Sequence, residues 1–234
     1  MHLPRSRTRP RARNGTRCVR MDADRGPDRS ALERAADAAA LGLRTRLPAG
    51  APAQLERAVR EDPDARVRAA ALGALARASG RRATTAWRVA LADPAAGVRR
   101  RAADLAPVLD APPRPLLALL ADDDVTVIEA AAWAIGELGP VAVRAGAVPA
   151  LSTVAREHDD PLARESAVAA LGALADPAGL PAVLAACGDK PAVRRRAVLA
   201  LAPFDGPDVD AALHTAVEDR DWQVRQAAED LLAE

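Results

Sequence analysis

One short pattern returns six times along this chain and limits what the chain can fold into. Its clearest copy is VIEAAAWAIGELG at residues 127–139. Aligned on the first valine, the copies begin at Val67, Val98, Val127, Ala163, Val193 and Val224, at intervals of 31, 29, 36, 30 and 31 residues. A period in that range marks a stacked array of supersecondary units rather than a domain with one centre. Four residues on stands Ala in every copy: Ala71, Ala102, Ala131, Ala167, Ala197 and Ala228. Eight residues on stand Leu75, Ala106, Ile135, Leu171, Leu201 and Leu232. At about 100° per residue, positions 0, +4, +7, +8 and +11 share one side, so each copy predicts an amphipathic helix. The recurrent Ala is small enough to let a neighbouring helix come close.

A shorter apolar segment precedes each copy, at residues 54–60, 84–92, 116–121, 147–157, 180–187 and 209–217, and predicts a first helix for every unit. Between the two helices, Asp62-Pro63, Asp93-Pro94 and Asp160-Pro161 read as an N-cap acid followed by Pro at the first helical position. The unit is therefore helix, tight turn, helix. With one Phe, three Trp and no Tyr, its core has to be built from Ala, Leu and Val packed at close range. The interval of 36 adds about six residues near positions 141–146, which predicts a loop or an extra turn there. At +5 the units carry Leu72, Ala103, Ala132, Val168 and Val198, whereas the final one has Glu229. A charge where a neighbour would pack reads as a C-terminal cap.

Charge divides the chain unevenly. Residues 1–29 hold nine Arg and three Asp, a net +6, and the remainder holds 24 basic and 29 acidic residues. An acidic body is not expected to bind nucleic acid in general. Residues 1–27 predict a disordered Arg-rich tail: a solvated tail, a stretch upstream of a true start at Met21, or a basic arm for nucleic acid or anionic membrane. Residues 28–50 predict an N-terminal capping helix, opened by the capping-box pattern Ser30-Ala-Leu-Glu33. Residues 51–234 form the array. Cys18 and Cys187 make no disulfide framework, which fits a reducing cytoplasm, and no apolar run is long enough to span a membrane.

This repeating unit resembles the HEAT repeat, in the short bacterial form also found in phycobilin-lyase-like proteins, over about residues 52–234. The resemblance implies an all-α, right-handed α-solenoid of about six helical hairpins. It also implies a ladder in which a turn Asp pairs with an Arg about six residues on: Asp62 with Arg68, Asp93 with Arg99 and Asp219 with Arg225. Asp159–Arg164 and Asp189–Arg194 would be one residue tighter. The unit at Asp122 departs from the pattern, with Ile128 in the Arg position.

Positions +2, +6 and +9 lie opposite the core stripe and should line the concave surface of such a superhelix. They include Arg100, Glu129, Glu165 and Arg195 at +2, and Asp104 and Trp133 at +6. Trp and Arg are frequent binding hot spots, so these six residues form the candidate site for a protein or peptide partner. Catalysis finds little support. A HEAT-type hydroxylase binds di-iron through His-Glu pairs at +2 and +3, and no unit here has His at either position. His2, His158 and His214 are too dispersed for a metal centre, and no cofactor is expected. A bilin-lyase-like role would rest on fold likeness alone. A glycosylase-like role would need a basic channel, which Trp133 and Asp104 in an acidic body do not supply. The expectation is a non-catalytic scaffold.

Overall fold

In the computed structural model, residues 30–78 and 80–233 are described, so the predicted tail at residues 1–27 lies outside them. The described residues contain helices and turns and no strand. Helix α1 (Ala31–Gly42) opens on Ser30, whose side chain accepts from the Glu33 N–H while the Glu33 carboxylate accepts from the Ser30 N–H. Both halves of the capping box are therefore made.

Six hairpins follow: α2 (Ala51–Glu61) with α3 (Ala65–Ala78), α4 (Arg81–Ala90) with α5 (Ala96–Leu105), and α6 (Arg114–Leu119) with α7 (Val125–Leu138). The extra residues after α7 become a five-residue helix, α8 (Pro140–Arg144). The array then resumes with α9 (Ala147–Glu157) and α10 (Pro161–Leu174), α11 (Leu180–Ala186) and α12 (Pro191–Ala200), and α13 (Pro207–Ala216) and α14 (Trp222–Leu232). The second helices α3, α5, α7, α10, α12 and α14 stack directly on one another, and α1 packs on α3 in the place a preceding second helix would take. The chain is thus an all-α solenoid.

The repeating small residues carry this stacking. Ala71, Ala102, Ala131, Ala167, Ala197 and Ala228 are buried to 0% exposure. Two glycines mark where second helices approach most closely. A Cβ on Gly172 would lie 2.7 Å from the Ala200 Cβ and 2.8 Å from its Cα, and one on Gly136 would lie 3.3 Å from the Ala173 Cβ. Only glycine fits between α10 and α12. Trp87 is the one aromatic wholly inside, and it satisfies its indole N–H by donating to the Ala102 carbonyl oxygen at 2.8 Å.

The turns differ from expectation in one respect. Helices α3 and α5 begin at Ala65 and Ala96, so Pro63 and Pro94 lie in the turns rather than at the first helical position. Asp62 and Asp93 are not N-caps. Each folds back on its own turn, accepting from the backbone N–H two residues on, that of Asp64 or Ala95, at 2.9 Å. Asp160 does cap α10 directly, ahead of Pro161.

Candidate functional site: a concave cleft at Trp133 beside a broken ion-pair ladder

The charged residues of the turns form a ladder, but it runs between units rather than within them. Arg68 Nε and Nη2 donate to the Asp93 carboxylate of the following unit at 2.7 Å each. To its own unit Arg68 gives only Nη1, which donates to the Asp62 and Pro63 carbonyl oxygens at 2.9 and 3.2 Å. Arg99 repeats this, with Asp122 as its carboxylate and the Asp93 carbonyl as its local acceptor. Arg164 reaches Asp189, and Arg194 reaches Asp219. The pairs expected within units, Asp62–Arg68, Asp93–Arg99 and Asp219–Arg225, are backbone-carbonyl contacts instead. Helix α1 supplies the first rung, from Arg34 to Asp62, and Arg225 donates only to the Asp219 carbonyl oxygen.

Each rung is a two-bond Arg–carboxylate fork; for Arg68–Asp93 the side chains are 11% and 7% exposed, whereas Arg34 at the first rung is 31% exposed. Hydrogen bonds from Arg99, Arg164 and Arg194 hold the Asp122, Asp189 and Asp219 carboxyls below the usual carboxylate range. At Asp93, burial pushes the carboxyl up, and the bond from Arg68 with the Ala95 N–H outweighs it to leave a net depression.

One rung is missing. Ile128 stands where Arg would, 1% exposed, and the turn of the next unit carries His158 instead of Asp. His158 Nδ1 accepts from the Asp160 N–H at 3.0 Å, and Arg164 Nη1 donates to the His158 carbonyl oxygen at 2.7 Å. His158, not Asp159, is therefore the turn residue of this unit.

At the same junction lies a cleft. Its volume is about 270 Å³, and α7 and α10 form its two walls. Trp133 stands half-exposed on the α7 wall, at 50%. Glu129 and Glu137 flank it, and Glu165, Ala169 and Arg196 complete the opposite side. Arg196 Nη2 donates to Glu165 Oε1 at 3.4 Å, and Leu199 extends the apolar surface beyond, 44% exposed. Of the six residues singled out in the sequence, Glu129, Trp133 and Glu165 line this cleft. Arg100, Asp104 and Arg195 do not. Sequence reasoning missed Arg196 and Glu137. The signal for Arg196 lay in the run Arg194-Arg195-Arg196, whose first member serves the ladder and whose third, at +3, reaches back to the preceding unit.

Other chemistry-bearing residues have structural roles. Cys187 is half-buried, its Sγ lies 3.6 Å from the Val183 carbonyl oxygen, and burial pushes the thiol up to about 11. Such a thiol is a packing residue, not a nucleophile. Among the described residues, no three His, Cys, Asp or Glu side chains converge as metal ligands would, and no helix is long and apolar enough to cross a membrane.

The fold has clear likenesses among solved structures. E. coli YibA superposes with a TM-score of 0.63 at 19% identity, covering 89% of this chain and 78% of that one. A designed armadillo repeat protein in complex with the peptide (KR)4 gives a TM-score of 0.60 at 18% identity, over 79% of this chain and 99% of the other. A computationally designed armadillo repeat protein for modular peptide recognition gives 0.58 at 18% identity, over 78% and 98%. No curated protein matches the chain. The sequence profile of HEAT repeats matches residues 113–192 and 148–233, together more than half of the chain. The chain belongs to the HEAT-repeat family.

Proposed function

We propose that this chain is a non-catalytic binding scaffold that holds a peptide segment of a protein partner against Trp133. One observation carries the reading. A half-exposed tryptophan stands in a cleft on an otherwise well-packed array, where a large aromatic would ordinarily be covered. The chemistry of the cleft narrows the partner. Three carboxylates, Glu129, Glu137 and Glu165, face one guanidinium, Arg196, which is already paired. An apolar floor of Ala169, Ala170 and Ala173 lies between them. That arrangement suits a Lys or Arg whose stem covers the alanines and whose charge lies over the indole face. The peptide-bound designed armadillo protein supports the same use of a stacked-helix surface, with a basic peptide as its ligand. A cytoplasmic location and an acidic body that avoids nucleic acid belong to this reading. No observation favours the enzyme alternatives.

The test is peptide binding by fluorescence anisotropy, with Lys/Arg-rich and Glu-rich peptides compared on wild type and Trp133→Ala. A hot-spot tryptophan contributes about 2 kcal/mol or more, so the substitution should weaken the basic peptide by roughly thirtyfold. Glu165→Lys should weaken it further and leave the fold intact. A preference for acidic peptides, or equal binding by wild type and Trp133→Ala, would overturn the assignment.

A further inference from the structure

A cluster of arginines lies away from Trp133, at the start of the array. The α1–α2 loop, residues 43–50, lies beside the C-terminal ends of α1 and α3 and borders, with them, an open pocket of about 500 Å³. Its thirteen lining residues include Arg44, Arg46, Arg77, Arg81 and Arg82, and no acid. This occurs in a body that is acidic overall, so the clustering is local and runs against the average charge.

Two of the five are anchored. Arg77 Nε donates to the Gly42 carbonyl oxygen at 2.8 Å, and Arg82 Nη1 donates to Glu56 at 2.6 Å. Arg44, Arg46 and Arg81 make no ion pair among the described residues. The cavity also receives the N-terminal end of α4, whose N-cap is Gly80 and so offers the first turn no side-chain acceptor. The positive end of that helix dipole adds to the arginines. Close packing keeps them together: a Cβ on Gly42 would lie 2.5 Å from Arg77 Nη2 and 2.8 Å from the Ala74 Cα. Opposite the arginines, the wall is apolar, formed by Leu41, Leu47, Pro52 and Leu75.

We propose that this cavity is a binding site for a small organic polyphosphate, with nucleoside triphosphates as the representative class. Arg44, Arg46, Arg77 and Arg81 have no carboxylate partner among the described residues, and a multivalent anion relieves their mutual repulsion. Guanidinium forks match phosphate oxygens in geometry, and their planes also stack on flat rings. The volume is that of a small-molecule site, and the apolar wall gives the organic part of the ligand a place that inorganic phosphate would leave bare.

The test is isothermal titration of the full chain in about 0.15 M salt with ATP, inorganic tripolyphosphate and a single-stranded oligonucleotide as probes. ATP should bind saturably at one site per chain. Tripolyphosphate should bind about tenfold more weakly, because it leaves the apolar wall bare. The double substitution Arg44→Gln with Arg81→Gln should weaken ATP by at least about tenfold while helicity by circular dichroism is unchanged. Arg46→Gln alone repeats the test should the double variant lose structure. Arg144→Gln, on α8, should leave ATP binding as in wild type. Absence of saturable ATP binding, full affinity in the Arg44/Arg81 variant, parity between tripolyphosphate and ATP, or tighter binding of the oligonucleotide would each overturn the proposal. None of these outcomes bears on the Trp133 cleft, which shares no residue with this cavity.

Discussion

If the turn arginines join neighbouring units, Arg99 and Asp122 should be strongly coupled although they belong to different hairpins. Their two N–H···O bonds are both 2.7 Å, and the side chains are 18% and 7% exposed. Opposite charges about 4 Å apart at an effective dielectric near 20 attract by about 4 kcal/mol. Desolvation of both groups removes part of that gain, which leaves a coupling of about 2 kcal/mol. An exposed pair would give only about 0.2–1 kcal/mol. The perturbation is a double-mutant cycle with Arg99→Gln, Asp122→Asn and the two combined. Asn keeps the oxygen that accepts from the Asp124 N–H, so the cycle isolates the fork rather than the turn. Unfolding in urea would be followed by circular dichroism and by tryptophan fluorescence. Trp87 reports on the α4–α5 hairpin through its bond to the Ala102 carbonyl. Coincident transitions at unchanged slope license the free-energy comparison in a repeat protein. A coupling below about 0.5 kcal/mol would refute the claim that the ladder ties unit to unit. So would an equal coupling for Arg99→Gln with Asp93→Asn, the partner expected within the unit.

Further expectations follow from the same contacts. Ile128→Arg alone places a charge at a 1% exposed position and should destabilise by about 3 kcal/mol or more, whereas adding His158→Asp should recover about 2 kcal/mol of it, both read from urea midpoints. The ladder carboxyls are depressed in the folded state. Their stabilisation is therefore complete above the unfolded value near 4 and is lost as pH falls through the folded values, so thermal midpoints should be flat from about pH 7 to 5 and drop below about pH 4. A midpoint that falls between pH 7 and 5 would contradict this. Gly172→Ala should cost about 1–3 kcal/mol because its Cβ would meet the Ala200 backbone, while Gly97→Ala, which meets nothing, should not.

The second helices were legible in the sequence because each carries its own signal. A small residue at +4 and an apolar one at +8 place the buried stripe without reference to any other unit; every +4 Ala is buried, and so is the +8 residue of the first five units, whereas Leu232 on the last helix is 42% exposed. Helix α8 showed only as surplus length, since five residues are too few for periodicity to declare a helix. Half of the candidate face was found for a similar reason. Position +6 identified Trp133 as outward-facing, but whether Arg100, Asp104 and Arg195 share its cleft depends on how far each helix is rotated against the next. A helical wheel drawn for one unit holds no information about that rotation. The basic cavity at α1 was invisible because its arginines come from the end of one helix, the start of another and a loop, with no common spacing.

In an array with a period near 30, an Arg six residues after its own Asp is also about 25 residues before the next one. The separations in the observed forks are 25, 23, 25 and 25 residues. Spacing alone cannot choose between the two partners. The exception can. Pairing within units would leave Asp122 without its Arg, since Ile128 stands six residues on, and would ask nothing of the next turn. Pairing between units uses Asp122 for Arg99 and places the loss at Ile128 together with residue 158. That turn has His in place of Asp, so both ends of one rung changed together. The imidazole also separates two duties that Asp performs elsewhere. Asp93 accepts from a backbone N–H two residues on and also receives a guanidinium; His158 accepts from the Asp160 N–H and receives none. The turn is kept and the tie is dropped. An apolar residue replaces the charge, which avoids leaving a half-buried ion without a partner. The tie is dropped where α8 is inserted between units and where Trp133 opens onto the cleft. Among the described residues no side-chain hydrogen bond or ion pair joins α7 to α10; the two helices meet through packing, with Gly136 against Ala170 and Ala173, and a ligand against Trp133 would touch both.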